Sequence, residues 1–319
     1  MRLGAGPNAE QDAAGNQRES DEQGEQAEQP AHVRILIRVT EYHSAVLSTI
    51  LFAGTAGLGA GMLGALLGLG GGLFLVPVLN LGLGLPFAVA RTLSLITIIG
   101  TSASVSVRSS SRRLINRRLA IMLAVPSVFA SLLATEVLKA GLVSDRAAKY
   151  VFGFTALFAA MIMLSRLDKR NIQPKSDADL GALGSHFHDH DTGEEVSYRV
   201  RRLPAAIASA FGAGIVSTFA GLGGGLLVVP SVNSWCGVPM RVAAATSAFL
   251  IGVTAFTPVV SSYRLGLVQS PELAAAALLG VLGGSHLGLK LSGRLPVRAL
   301  KLTMAVILGG LGAEYVFFQ

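Results

Sequence analysis

Two stretches of this 319-residue chain, Ser44–Ala90 and Leu203–Met240, contain no charged side chain. About 20 apolar residues already span the hydrocarbon core of a bilayer. Each stretch is therefore too long for one helix and has to turn back or break. Further uncharged stretches cover Thr92–Val107, Leu119–Thr135, Tyr150–Ser165, Val242–Tyr263, Leu273–Leu289 and Leu302–Ala313. Only 14% of the residues are charged, against about a quarter in soluble domains. Backbone exposed to lipid must satisfy its own hydrogen bonds, which selects helices, and the alternating polar-in pattern of a membrane barrel is absent. The fold class that follows is all-α, a polytopic transmembrane bundle of about 8–10 membrane segments.

Charge placement supports this reading. The formal net charge is +7, yet the basic residues sit in short loops between apolar runs. That is the pattern of membrane topology and not of a nucleic-acid groove. The single cysteine, Cys236, lies in an apolar run, so neither an intramolecular disulfide nor a cysteine metal cluster is available. Residues 1–43 read as a disordered N-terminal tail, because Met1–Pro30 is rich in Glu, Gln, Gly and Ala and nearly lacks large apolar residues.

An internal repeat organises the rest. Placing Gly68-Leu69-Gly70-Gly71-Gly72 over Gly221-Leu222-Gly223-Gly224-Gly225 sets an offset of 153, at which 14 of the 28 positions from Gly59 to Pro86 are identical. Val76-Pro77 falls on Val229-Pro230, Asn80 on Asn233 and Pro86 on Pro239. After a one-residue shift, Ala90-x-Thr92 meets Ala244-x-Thr246. The halves are residues 44–166 and 203–319, joined by a polar linker at 167–202 that contains His186-Phe187-His188-Asp189-His190-Asp191. Alternating His and Asp can ligate a divalent metal, but the segment reads as a solvated loop and no metal is assigned.

The arginine-rich segment Arg108–Arg118 has no acid and is placed in the cytoplasm. In the second half the heavier basic loop moves to Lys290, Arg294, Arg298 and Lys301. This exchange favours inverted repeats, an arrangement common in secondary transporters. Inversion needs an odd number of crossings per half, with Leu73–Leu85 counted as a short crossing. Were that segment re-entrant, four crossings per half would make the repeats parallel.

Consecutive glycines deep in an apolar run disfavour helix, so both GLGGG motifs read as broken helices. Broken backbone at membrane depth survives only where protein covers it or water reaches it. A helix starting after the break directs free N–H groups toward such a cavity, where they favour an anion. The candidate substrate-binding residues are therefore Gly70, Gly71, Gly72, Gly223, Gly224 and Gly225. Asn80, Asn233, Thr92, Thr246 and Ser247 join them as neutral donors, and Arg91 and Arg241 as the nearby cations. Each has a structural alternative that the sequence leaves open: close helix packing for the glycines, helix-end caps for the asparagines, and interfacial anchoring for the arginines. Gly280, Gly284 and Gly288 form a small-residue stripe of the packing kind.

The paired G-x-G-G-G-x-x-x-V-P segments, each followed by a Pro and then Ala-x-Thr, resemble the sulfite exporter TauE/SafE family of membrane permeases, across Ser44–Phe318. The resemblance implies an all-helical permease of the plasma membrane that moves sulfite, sulfoacetate or a related sulfur oxyanion. It also implies that the glycine segments, Asn80, Asn233, Thr92, Thr246 and Ser247 face that anion. Where the second half reads Ala245-Thr246-Ser247, the first reads Arg91-Thr92-Leu93, so the two halves contribute unequally.

No P-loop ending in Lys-Ser/Thr is present, nor G-x-S-x-G, nor H-E-x-x-H. Only His286 lies within a span. The reading is thus a secondary transporter for a small anion, working by alternating access, with no cofactor and no enzymatic activity. An anion channel or a membrane scaffold is the alternative. The implied partners are the anion and the lipid bilayer, with assembly into a homo-oligomer left open.

Overall fold

A computed structural model describes residues 31–67, 71–111, 114–165, 183–189, 194–268, 270–291 and 297–318. The chain divides into two units at Thr49 and Ile50. In the first, the described residues are helical from Ala31. Residues 31–43, read from the sequence as part of the N-terminal tail, lie in helix α1 (Ala31–Leu67). Met1–Pro30 lies outside the described residues.

The second unit holds the remaining elements. Short helix α2 (Gly72–Pro77) widens into a π-type turn over Val78–Gly82. Three long helices follow: α3 (Phe87–Ser111), α4 (Arg117–Lys139) and α5 (Asp145–Ser165). An antiparallel hairpin of β1 (Ser185–Asp189) and β2 (Glu194–Tyr198) comes next. The chain ends with α6 (Leu203–Ala220), short α7 (Gly225–Ser234), α8 (Met240–Arg264), α9 (Pro271–Leu291) and α10 (Val297–Phe317). Five helical segments among the described residues are long and apolar enough to cross a membrane: Val46–Ala65, Phe87–Val107, Arg117–Lys139, Leu203–Ala220 and Val242–Arg264. Their outward faces carry Leu51, Ile121, Val125, Phe129 and Phe256, each more than half exposed, which is the surface a lipid solvent requires.

Close backbone approaches show how the helices run. A Cβ on Gly280, Gly284 or Gly288 would strike the carbonyls of Gly54, Leu58 and Met62 in turn, so α9 lies parallel to α1 along the small-residue stripe. Gly214 sits on the Ser127 carbonyl, and the Ser131 and Thr218 hydroxyls share a hydrogen bond of 2.8 Å, which makes α4 and α6 parallel. In contrast, Ser102 packs on Ala248 and Gly252, whereas Leu95 and Ile98 cluster with Ile251 and Ala255. Helices α3 and α8 are therefore antiparallel. So are α5 and α10, with Gly153 against Val316 and Leu157 against Gly312. The rings of Phe87, Phe152 and Tyr315 pack together at centroid distances of 4.8–6.2 Å.

The linker is more than a solvated loop. Its hairpin docks through Tyr198, which is 3% exposed and accepts a 3.0 Å hydrogen bond from Asn116 Nδ2. Asn116 also donates to the Leu183 carbonyl, and its Oδ1 accepts from Leu119 N, capping α4. A short linker strand thus stays ordered because a buried asparagine and tyrosine satisfy each other. Burial pushes the Tyr198 phenol above its usual range, opposed by its hydrogen bonds to Asn116 and Ser185. Of the linker's His and Asp residues, His190 and Asp191 lie outside the described residues, and no group of three metal-ligating side chains occurs among the described ones.

Candidate functional site

The second glycine motif is a break in the backbone. Helix α6 ends at Ala220, Gly221 donates its N–H to the Ser217 carbonyl at 3.0 Å, and α7 starts at Gly225. Gly221, Gly223 and Gly224 have φ of 72°, 67° and 69°, values that cost other residues about 1–2 kcal/mol each. In the first half, α1 ends at Leu67 and α2 starts at Gly72. Gly70 falls outside the described residues. Gly71 packs on Ala60 and Gly61, and Gly82 on the Phe52 ring, so α2 folds back antiparallel along α1. Gly224 packs on Ala213 in the corresponding way.

Both breaks reach the middle of the α3–α8 pair. Gly72 faces Ser94 and Ile98, and Gly223 faces Ile98 and Ile251. The Ser94 hydroxyl lies 2.8 Å from the Gly72 carbonyl and 2.8 Å from the Gly221 carbonyl, so one fully buried side chain ties the two glycine segments together. Sequence reasoning missed Ser94. The one-residue shift that paired Thr92 with Thr246 hid it, whereas α3 and α8, each 25 residues long, set Ser94 over Ser247 at the undisplaced offset. Equal helix length was the signal available.

Arg91 is 5% exposed and lies beside the second break, where its side-chain stem covers Gly221. Its Nη1 donates one long bond of 3.5 Å to the Phe219 carbonyl. No carboxylate lies within ion-pairing distance of it among the described residues. A guanidinium has five N–H donors, so among the described residues most of its hydrogen-bonding capacity is unspent in a buried place, with Asp145 attracting its charge only from beyond ion-pair distance.

The other candidates occupy other places. Asn80 Nδ2 donates to the Leu85 carbonyl at 2.7 Å, and Asn233 Nδ2 to the Val238 carbonyl at 2.8 Å. Each amide braces the turn that follows its short helix, and the Asn80 Oδ1 also accepts from the Tyr315 hydroxyl. Thr92 returns its hydroxyl to the Ala88 carbonyl of its own helix. Thr246 accepts the Asn116 N–H at 3.1 Å, which connects α8 to the loop holding the hairpin. Ser247 is fully buried, and its hydroxyl has no partner among the described residues. Gly225 opens α7, and Arg241 lies in the first turn of α8 with its side chain outside the description.

Five helices among the described residues, long and apolar enough to cross a bilayer, with a broken helix at Gly221–Gly224 and a buried arginine beside it, mark an integral, multi-pass membrane protein, and its relatives place it in the transporter class. Two relatives carry that description. The chain is 30% identical over 269 residues to the probable membrane transporter protein YunE of Bacillus subtilis, covering 82% of this chain and 95% of the relative. It is 24% identical over 269 residues to a probable membrane transporter protein of Methanocaldococcus jannaschii, covering 79% and 90%. The sequence profile of the sulfite exporter TauE/SafE family matches residues 53–315, and the chain belongs to that family. No solved structure matches it.

Proposed function

We propose that this protein is a secondary transporter of the plasma membrane that moves a small anion, sulfite or an organosulfonate or another sulfur oxyanion. It works by alternating access between two inverted repeats. The observation that carries the reading is the buried Arg91 guanidinium beside the second glycine segment, which Ser94 joins to the first; among the described residues no carboxylate pairs with it directly, and Asp145 attracts it only from beyond ion-pair distance. An oxyanion accepts several N–H and O–H donors at once, and the uncapped first turn of α7 adds further N–H groups. Inversion is supported by the helix directions, because α3 and α8 correspond in sequence and run antiparallel, as do α5 and α10. Gly72, Gly221 and Gly223–Gly225, together with Arg91 and Ser94, form the proposed site. Ile98 and Ile251 close it in this conformation. Inversion then requires five membrane segments in each repeat, with the short helices α2 and α7 counted as crossings.

The test is counterflow of labelled sulfite in proteoliposomes, with Arg91→Gln beside the wild type. A hydrogen bond to a charged group contributes about 1.5–3 kcal/mol, so the half-saturating sulfite concentration should rise roughly 10- to 100-fold. The melting temperature should hold or rise, because an unpaired buried charge has been removed. A parallel fall in melting temperature and flux would make Arg91 a cap for the end of α6 instead. Electrodiffusion without counterflow would mark a channel.

A further inference from the structure

The membrane-facing groove between α4 and α6 shares no lining residue with the proposed anion site and points to a different ligand. It is a shallow groove of about 540 Å³, open along the surface of the helices. Its walls are Ile121, Met122, Val125 and Phe129 of α4 and Ile207 of α6, and Arg118 stands at one end. Ile121 and Val125 are 63% and 69% exposed.

Charge is concentrated at that end. Arg117 and Arg118 occupy the first turn of α4, and Arg201 and Arg202 immediately precede α6; all four are exposed. The two helices are parallel and in register, with Ser131 opposite Thr218 at a separation of 87 residues. The same step sets Arg117 and Arg118 level with Pro204 and Ala205, just beyond Arg202. The stretches Arg108–Arg118 and Arg199–Arg202 contain no acid. Basic residues in the first turn of a helix oppose its dipole, so the helix dipole does not account for the placing of Arg117 and Arg118.

We propose that the groove binds an anionic glycerophospholipid of the cytoplasmic leaflet, with one acyl chain along Ile121, Val125 and Phe129 and the phosphate held by the arginines. The apolar walls suit a chain and exclude a free hydrated anion as the main occupant. The basic mouth lies on the side that the charge pattern assigns to the cytoplasm, where anionic lipids meet juxtamembrane arginines.

Native mass spectrometry of the full chain, released from mixed phosphatidylglycerol and phosphatidylcholine, tests this. The wild type should retain phosphatidylglycerol preferentially. Each arginine near an anionic headgroup is worth about fivefold in binding, so the Arg117→Gln, Arg118→Gln double variant should weaken retention roughly 20- to 30-fold. Val125→Trp fills the groove without touching charge and should abolish retention while leaving sulfite counterflow measurable. Equal retention of the two lipids overturns the proposal. So does phosphatidylglycerol binding that survives both variants, or its displacement by inorganic phosphate at equal concentration, which would indicate a simple anion site.

Discussion

Gly224 offers the sharpest test of the broken helix, because a neighbouring glycine serves as its control. In Gly224→Ala the new methyl must adopt a left-handed conformation at φ 69°, costing about 1–2 kcal/mol. Its Cβ would also sit 2.6 Å from the Ala213 carbonyl oxygen and 3.0 Å from the carbonyl carbon. Those atoms are helix backbone and cannot rotate away, so overpacking adds about 1–3 kcal/mol. The sum is about 2–5 kcal/mol, which at about 2 °C per kcal/mol lowers the melting temperature by roughly 4–10 °C. Gly212 lies two residues before Gly214 in the interior of α6, and a Cβ there meets nothing within 4 Å. Gly212→Ala should gain up to about 1 kcal/mol from helix propensity. The single tryptophan, Trp235, directly follows α7 and reports unfolding by its fluorescence. Equal melting temperatures for the two variants would refute a left-handed break packed on α6.

Ser94→Ala should destabilise by about 1–3 kcal/mol, since it strips a donor from the Gly72 and Gly221 carbonyls in a buried site. Ser247→Ala should leave the melting temperature unchanged or raise it, because its hydroxyl has no partner among the described residues; a loss of sulfite flux at constant stability would mark Ser247 as a substrate donor. Tyr198 holds its proton above the unfolded value of 10.0. Stability from hairpin docking should therefore be intact below pH 10 and decline as pH rises from there through the folded value. Melting curves across that range, with Tyr198→Phe showing no such decline, check it. In a Cys236→Ser background, Arg113→Cys and Arg298→Cys should react with a membrane-impermeant thiol reagent from the same side; opposite sides would mean parallel repeats.

The membrane class and the approximate helix positions were legible because they depend on local quantities: uninterrupted apolar length, basic loops and glycine runs. The stripe Gly280, Gly284, Gly288 was likewise legible, since spacing four puts these residues on one face. The hairpin at 185–198 was not, because its order comes from Asn116, distant in sequence and buried against Tyr198. The helical state of residues 31–43 was obscured by their charges, which a low-hydrophobicity criterion counts against structure.

The sequence alone determined that this chain lives in a bilayer and that its backbone breaks at Gly221–Gly224, because the hydrophobic effect and glycine's conformational freedom act on short segments. Only the tertiary structure decided which residues share the space between the breaks. It selected Ser94 and Arg91, turned Asn80 and Asn233 to brace their own turns, and ran α3 against α8. The asparagine braces are local, but the places of Ser94 and Arg91 and the direction of α3 against α8 depend on contacts between segments more than a hundred residues apart, and helix direction and packing register settle those, neither of which a linear pattern encodes.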